Sequence, residues 1–404
     1  MATYDLDRTQ LGNLLTPNID TGARAAVIDY LLNHGDFHGN GLFGASPNGG
    51  DGDADDNHHG HHHNDHDSDD GWHHGHRHPD PTVKVEISDG SLALDPKAQV
   101  LDLTSATNTV TTDAALKVIV ENVATDASLT VHGDSDVLIA MGGGNDHVWL
   151  QDTGNDVVIA GAGNDSIHGG DGADSIYGGA GNDSLTAGHG DNQLLEGGRG
   201  DDTLTGGDGS HDSLYGGSGN DLLHAGNGDH QLLVGGSGDD TIIGGDGSHD
   251  SLFGGNGNDL IHAGNGDHQF LMGGNGDDTL FGGDGSHDTL VGGNGDDVIH
   301  AGNGDHQLVI GGHGNDTIYA GSGGDTLIGG HGHDVFVVDT HHGDDTIDGG
   351  SSGHDIVKFD TRASTDIASL HTHHGETIIH FTDGQTVTVS HIQELVFTDK
   401  TEHL

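Results

Sequence analysis

The sequence predicts an all-β fold, a right-handed parallel β-solenoid of the roll type, on three observations. First, a glycine–aspartate nonapeptide recurs in tandem from about Gly142 to Gly350, as in Gly178-Gly179-Ala180-Gly181-Asn182-Asp183-Ser184-Leu185-Thr186 and Gly216-Gly217-Ser218-Gly219-Asn220-Asp221-Leu222-Leu223-His224. Six residues turn the chain and end in Asp, and three then run extended around a central apolar residue. So tight a turn needs positive φ angles, which glycine reaches without steric cost. Second, only 30% of the 404 residues are hydrophobic and 4% aromatic, too few for two ordinary globular cores. A strict period answers this shortage, because stacked repeats share one thin continuous core. Third, 66 acidic residues face ten basic ones, a formal charge of −56. A compact fold with that charge repels itself unless cations bind.

The same numbers exclude several classes. The 76 glycines come with five prolines and no triplet period, which rules out collagen. The acidic balance argues against nucleic acid and anionic membrane surfaces as partners. There are no cysteines, hence no disulfides and no thiolate metal sites. Carboxylates and main-chain carbonyls are the ligands of a hard divalent cation. The start, Met1-Ala2-Thr3-Tyr4-Asp5-Leu6-Asp7, lacks the basic and apolar regions of a secretory signal. No run of about 20 apolar residues is present, so no transmembrane segment is expected.

Along the chain, residues 1–45 hold one expected helix, from Thr21 to Asn33, with Ala25, Ala26, Ile28, Leu31 and Leu32 as its apolar stripe. This short segment is a candidate docking or assembly element. Residues 46–81 read as a His/Asp/Gly-rich linker with ten histidines between His58 and His78, interleaved with Asp65, Asp67, Asp69 and Asp70. It reads either as a solvated spacer or as a binder of Zn2+, Ni2+ or Cu2+. Residues 82–141 are expected to form solenoid coils without calcium turns, through Val83–Ile87, Leu116–Val120, Leu129–Val131 and Val137–Ile139, capping the N-terminal end. The repeat fills 142–350. In 351–404, Ile378–Phe381 and Thr386–Val389 flank Asp383-Gly384, a hairpin signal, and His391–Phe397 adds an apolar segment to this C-terminal cap.

Two nonapeptides make one coil, so turns on one edge recur every 18 residues. Ile167, Ile176, Leu185, Leu204, Leu223, Ile242 and Ile261 then point inward. At ~4.8 Å per coil, roughly eleven coils make a rod of about 50 Å. Stacking lines up the turn-ending Asp residues and turn carbonyls in columns suited to calcium between adjacent turns. Without the ion the stacked carboxylates repel, so folding and calcium binding are expected to be one event.

The motif resembles the RTX (repeats-in-toxin, hemolysin-type) calcium-binding repeat over residues 142–350. That resemblance implies a parallel β-roll with multiple Ca2+ in its turns. It also implies export from a Gram-negative bacterium by a type I secretion apparatus that reads an uncleaved C-terminal signal, with folding outside the cell. Val335-Phe336-Val337-Val338-Asp339, Gly343-Asp344-Asp345-Thr346-Ile347 and Phe381-Thr382-Asp383-Gly384 resemble the sequence that commonly follows such repeats, while Thr401-Glu402-His403-Leu404 is less typical of the signal. Matched position by position, the metal-binding Asp residues are Asp146, Asp156, Asp165, Asp174, Asp183, Asp202, Asp221, Asp240, Asp259, Asp278, Asp297, Asp316, Asp325 and Asp334.

Between Gly197 and Ile310 the unit lengthens to three 38-residue superrepeats, 197–234, 235–272 and 273–310. Each alternates nine-residue and ten-residue turns. The ten-residue turns fall on a second edge in two types, Gly206-Gly207-Asp208-Gly209-Ser210-His211-Asp212 and Ala225-Gly226-Asn227-Gly228-Asp229-His230-Gln231. His211, His230, His249, His268, His287 and His306 are expected to stack there at ~4.8 Å. Asp212, Asp250 and Asp288 alternate beside them with Gln231, Gln269 and Gln307. Glutamine brings an oxygen but no charge, so calcium on this edge is expected to be weaker or absent. The ladder has three open readings: stacked imidazoles of a wider turn, a lateral contact surface, or transition-metal ligands.

These features point to a secreted, extracellular or cell-surface calcium-binding protein with a structural or adhesive role. Self-association through solenoid ends, the second edge or the N-terminal helix would build a layer or filament. The alternatives are an export and folding module of an extracellular enzyme or toxin, and metal sequestration through the His-rich linker. The sequence holds no nucleophile elbow, zincin motif or phosphate loop, so no enzyme is expected.

Overall fold

The computed structural model describes residues 2–6, 83–88, 100–103, 106–112, 118–121, 125–339 and 343–404. The expected helix at 21–33 and the His-rich linker at 46–81 lie outside the described residues.

The chain winds as a parallel β-solenoid of about 13 turns. Successive strands fall alternately into two sheets, one of 19 strands and one of 16 among the described residues. Along the body of each sheet, strands pair in parallel with the strand one coil away, and among the described residues antiparallel pairs occur only at the ends. Ser213–Ser218 lies between Leu194–Arg199 and Leu232–Ser237 in the first sheet, and Leu222–His224 lies between Thr203–Thr205 and Thr241–Ile243 in the second. The inward residues meet between the sheets. Leu204, Leu214, Leu223, Leu233, Ile242 and Ile261 are all fully buried in one continuous cluster. A side-chain period of two sends their neighbours outward, so from Ser166 to Val337 a single apolar residue per strand lines the core, while strands such as Ser128–Gly133 and His147–Asp152 nearer the N-terminal end bury two.

Two features differ from the sequence expectation. Strands of the first sheet span six residues where three were expected, as in Leu232–Ser237. The reason is that the Gly-Gly pair opening the next turn stays in the ladder, with Gly217 opposite Gly236 and Gly236 opposite Gly255. The solenoid also runs past the roughly eleven coils of the repeat region, at the N-terminal end through the coils expected over 82–141 and at the C-terminal end because strands of the cap, where only closure was expected, continue the stack. At the N-terminal end Val100–Leu103, Val118–Glu121 and Leu138–Ala140 stack onto the first sheet. At the C-terminal end Thr386–Ser390 and Glu394–Phe397 pair in parallel onto the last coil.

Antiparallel strands cap the first sheet at the N-terminal end and both sheets at the C-terminal end, where an open parallel edge would invite further pairing. Ala2–Leu6 pairs antiparallel with Val83–Ser88. The expected hairpin forms between Glu376–Phe381 and Thr386–Ser390, and Ile367–His373 adds a third antiparallel strand. Phe359 plugs this end, stacking on Phe397 at 4.9 Å and meeting Phe381 edge-on at 5.2 Å. The buried Arg362 guanidinium lies 4.1 Å over the Phe381 ring and donates to Asp383 at 2.8 Å.

Truncating a residue of the shared core leaves a cavity that neighbouring coils cannot fill. Leu233→Ala is expected to cost about 2–5 kcal/mol. Leu222→Ala, at a side chain 40% exposed, is expected to stay within about 0.5 kcal/mol. Denaturant unfolding in saturating calcium measures both.

Candidate metal centre

The 17 Asp residues singled out from sequence are all between 0 and 3% exposed. The structure sorts them into two files, one on each edge of the solenoid. The first edge carries Asp146, Asp165, Asp183, Asp202, Asp221, Asp240, Asp259, Asp278, Asp297, Asp316 and Asp334. Each backbone N–H in this file donates to Oδ1 of the Asp one coil further on, at 2.7–3.0 Å. A second, exposed ladder runs the other way. Asn182 Oδ1 accepts from Asp201 N–H, and Asp201 Oδ1 from Asn220 N–H, at 3.0 and 2.9 Å. Each turn is thereby zipped to both neighbours by the residue before the buried Asp and by that Asp itself.

The zip uses one oxygen of each buried carboxylate. The other, Oδ2, is buried without a hydrogen-bond donor in Asp165, Asp183, Asp202, Asp221, Asp240, Asp259, Asp278, Asp297, Asp316 and Asp334. Buried polar atoms are nearly always satisfied, so a file of orphan oxygens asks for a partner. The space around them is lined by glycine and carbonyls. A Cβ on Gly216 would run into Asp221 Oδ2 and the Gly235 carbonyl of the next coil, and a Cβ on Gly219, at φ +130°, into the Gly200 carbonyl of the preceding one. This donor set, one carboxylate per turn with main-chain carbonyls, suits calcium, a hard ion bound by 6–8 oxygens. Among the described residues no three His, Cys, Asp or Glu side chains gather as a metal cluster. The all-oxygen donor set of these carbonyl-rich turns favours calcium over zinc, nickel or copper, which prefer nitrogen or sulfur ligands.

The family model for the RTX calcium-binding nonapeptide repeat (4 copies) matches residues 150–185, 187–210, 210–229, 230–248, 234–267, 268–286, 286–305 and 310–340. The chain carries RTX calcium-binding repeats. No curated protein matches the chain. No helix among the described residues is long and apolar enough to cross a membrane.

Electrostatics of the RTX file follow from its geometry. Burial pushes Asp202, Asp240, Asp278 and Asp316 up to about 7. The donated backbone N–H holds each back in part, and the neighbouring carboxylates raise each further. Two ionised carboxylates about 5 Å apart repel by roughly 3 kcal/mol at an effective dielectric near 20. Bound calcium would supply the positive charge that cancels this repulsion.

The second edge carries Asp156, Asp174, Asp212, Asp250, Asp288 and Asp325. Between Asp174 and Asp325 its file alternates with glutamine: Asp174, Gln193, Asp212, Gln231, Asp250, Gln269, Asp288, Gln307 and Asp325, each backbone N–H donating to the next side-chain oxygen. Burial raises Asp212, Asp250 and Asp288 to about 6. His211, His230, His249, His268, His287 and His306 stand exposed beside this file. Their rings stack at 5.0–5.1 Å, and all six take φ between 61 and 66°. The extra residue of each ten-residue turn is thus a left-handed histidine that turns the chain where the nine-residue turn uses none.

Sequence reasoning missed several members of these files. Asn192, at φ 63°, and Gln193 begin the second-edge pattern one coil before the first superrepeat. Asp345 accepts from Asp325 N–H, Asp355 from Asp334 N–H, and Gln393 Oε1 from Asp355 N–H, so both files run into the C-terminal cap. The signal was present as Asp345-Thr346-Ile347 and Asp355-Ile356-Val357, which keep the Asp-x-apolar ending and a glycine two residues before it, Gly343 and Gly353, but lie 20 and 21 residues after Asp325 and Asp334, off the regular spacing. Asp152, in the turn Gln151-Asp152-Thr153-Gly154, is also buried and faces Asp156. Burial raises both; the charge of Asp174 then raises Asp152 further while its hydrogen bond with Asp156 holds it back, and the charge of Asp152 raises Asp156 further.

Asp221→Asn with Asp240→Asn is expected to remove at least one calcium ion per substituted turn, counted by native mass spectrometry, and to lower the melting temperature in calcium by several degrees. The pH dependence has a definite sign. The metal-free fold keeps protons up to about pH 7 that the unfolded chain releases near pH 4, so its stability falls as pH rises through that window. In EDTA the β-type circular dichroism is therefore expected to strengthen from pH 8 to 5.5, and calcium added at pH 6.5 to release protons into weakly buffered solution.

Proposed function

We propose that the chain is a secreted calcium-binding RTX protein with a structural, adhesive role at the cell surface or in the extracellular matrix, and that it is not an enzyme. The observation that carries this reading is the regular register of the solenoid. From Ser184 to Thr317 each coil advances by 19 residues in both sheets, so every surface position recurs in line. A periodic surface presents the same contact many times, which suits repeated lateral contacts better than a single reaction centre. Stacked rings form one such row on the second sheet, with His262, Phe281, His300 and Tyr319 at 4.3–4.7 Å. Half-buried Val234, Phe253, Met272, Val291 and Ile310 form another on the first sheet. The histidine ladder on the second edge is a third. Self-association through these rows, with calcium lowering the net charge, would give a layer or filament.

Calcium-dependent folding fits export unfolded through a type I apparatus and folding outside, where calcium is abundant. Negative-stain imaging and light scattering of the purified chain test the proposal. Rods that associate into ordered arrays in calcium and disperse in EDTA are expected. Monodisperse single rods at every calcium and protein concentration would remove the assembly role, and robust hydrolysis in an activity screen would remove the non-catalytic one.

A further inference from the structure

We propose that on the second edge the side-chain amides of Gln193, Gln231, Gln269 and Gln307 take the place of calcium, so that every other gap between turns in this stretch is sealed by the chain itself. The inference rests on calcium binding along the first edge.

An Asp turn gives Oδ1 to the backbone N–H of the preceding coil and leaves Oδ2 over. A Gln turn keeps the first bond. Gln193 Oε1 accepts from Asp174 N–H at 3.0 Å, Gln231 from Asp212 at 3.1 Å, Gln269 from Asp250 at 3.1 Å and Gln307 from Asp288 at 2.9 Å. Where aspartate has its second oxygen, glutamine has an NH2 group. That group donates to a turn carbonyl of the preceding coil in all four cases: Gly172, Gly209, Gly247 and Gly285, at 2.5–2.6 Å. Gln307 Nε2 also lies 3.4 Å from Asp288 Oδ2. The amide therefore meets a carbonyl and faces a carboxylate, the two kinds of oxygen that a cation would bridge.

Such a gap does not fit calcium. The turn carbonyl is engaged by a donor, and the NH2 group points its positive end into the space. Both ends of each buried glutamine are hydrogen-bonded, so the gap asks for no further partner. In each two-coil unit, both first-edge gaps carry an orphan carboxylate oxygen, as at Asp221 and Asp240, whereas the second edge alternates a Gln gap with an Asp gap. The two edges thus differ in their need for calcium, and the alternation of Gln with Asp sets that difference.

Crystals of the full chain grown in calcium, with data collected for the anomalous signal of calcium, decide the matter. Peaks are expected along the first edge, with none within ligand distance (~2.3–2.6 Å) of Gln231, Gln269 or Gln307 side chains or of the Gly209, Gly247 and Gly285 carbonyls. A peak at any of these overturns the proposal while leaving calcium binding intact. A map with no calcium on either edge removes both. In solution, Gln231→Glu with Gln269→Glu and Gln307→Glu swaps each donor for an oxygen at constant size. Native mass spectrometry is expected to count three more calcium ions on this variant than on the parent. An unchanged count overturns the proposal.

Discussion

One contact organises the whole molecule: the backbone N–H of each turn-ending residue donates to a buried side-chain oxygen one coil away. Repeated along the first edge from Asp146 to Asp334, it holds neighbouring turns in register, and it also forces carboxylates into a file with one oxygen each left over. The same bond that zips the turns creates the charge that would open them. Calcium binding is the physical resolution, and the RTX repeats are matched to it by a glycine-lined, carbonyl-rich turn.

The thin core follows from the same constraint. In the repeats each strand supplies one inward apolar residue, such as Leu214 or Leu223, and the two sheets meet over that single row. A core this narrow supports no coil alone, so stability is shared between neighbours along the stack. Both ends then need a stop. Antiparallel strands supply it for the first sheet at the N-terminal end and for both sheets at the C-terminal end, where the Phe359–Phe381–Phe397 group and Arg362 join them.

The two edges resolve the same backbone problem with different chemistry. The first uses aspartate throughout and leaves a charge at every turn. The second, from Asp174 to Asp325, inserts glutamine at alternate turns and satisfies both ends of its amide within the protein. The histidines beside it hold left-handed φ values, a conformation in which non-glycine residues are uncommon. Their uniform spacing is a consequence of the 19-residue coil, and their stacked rings make this edge a distinct surface.

Much of this was legible in the residues. The period of Gly and Asp determined the solenoid, its inward apolar row, the buried Asp files and the 19-residue coil of the superrepeats, because each depends on local spacing that repeats many times. The hairpin around Asp383-Gly384 was legible for the same reason: turn chemistry is local. Other features were decided by the tertiary structure alone. Whether an Asp oxygen finds a donor depends on the turn one coil away, so the orphan Oδ2 atoms and the Gln amide bonds to Gly209 or Gly247 could not be read from spacing. The continuation of the files through Asp345, Asp355 and Gln393 was hidden because the glycines around them vary in number. Stacking restores their register, since a backbone ladder tolerates loops of different length as long as the strands between them still pair.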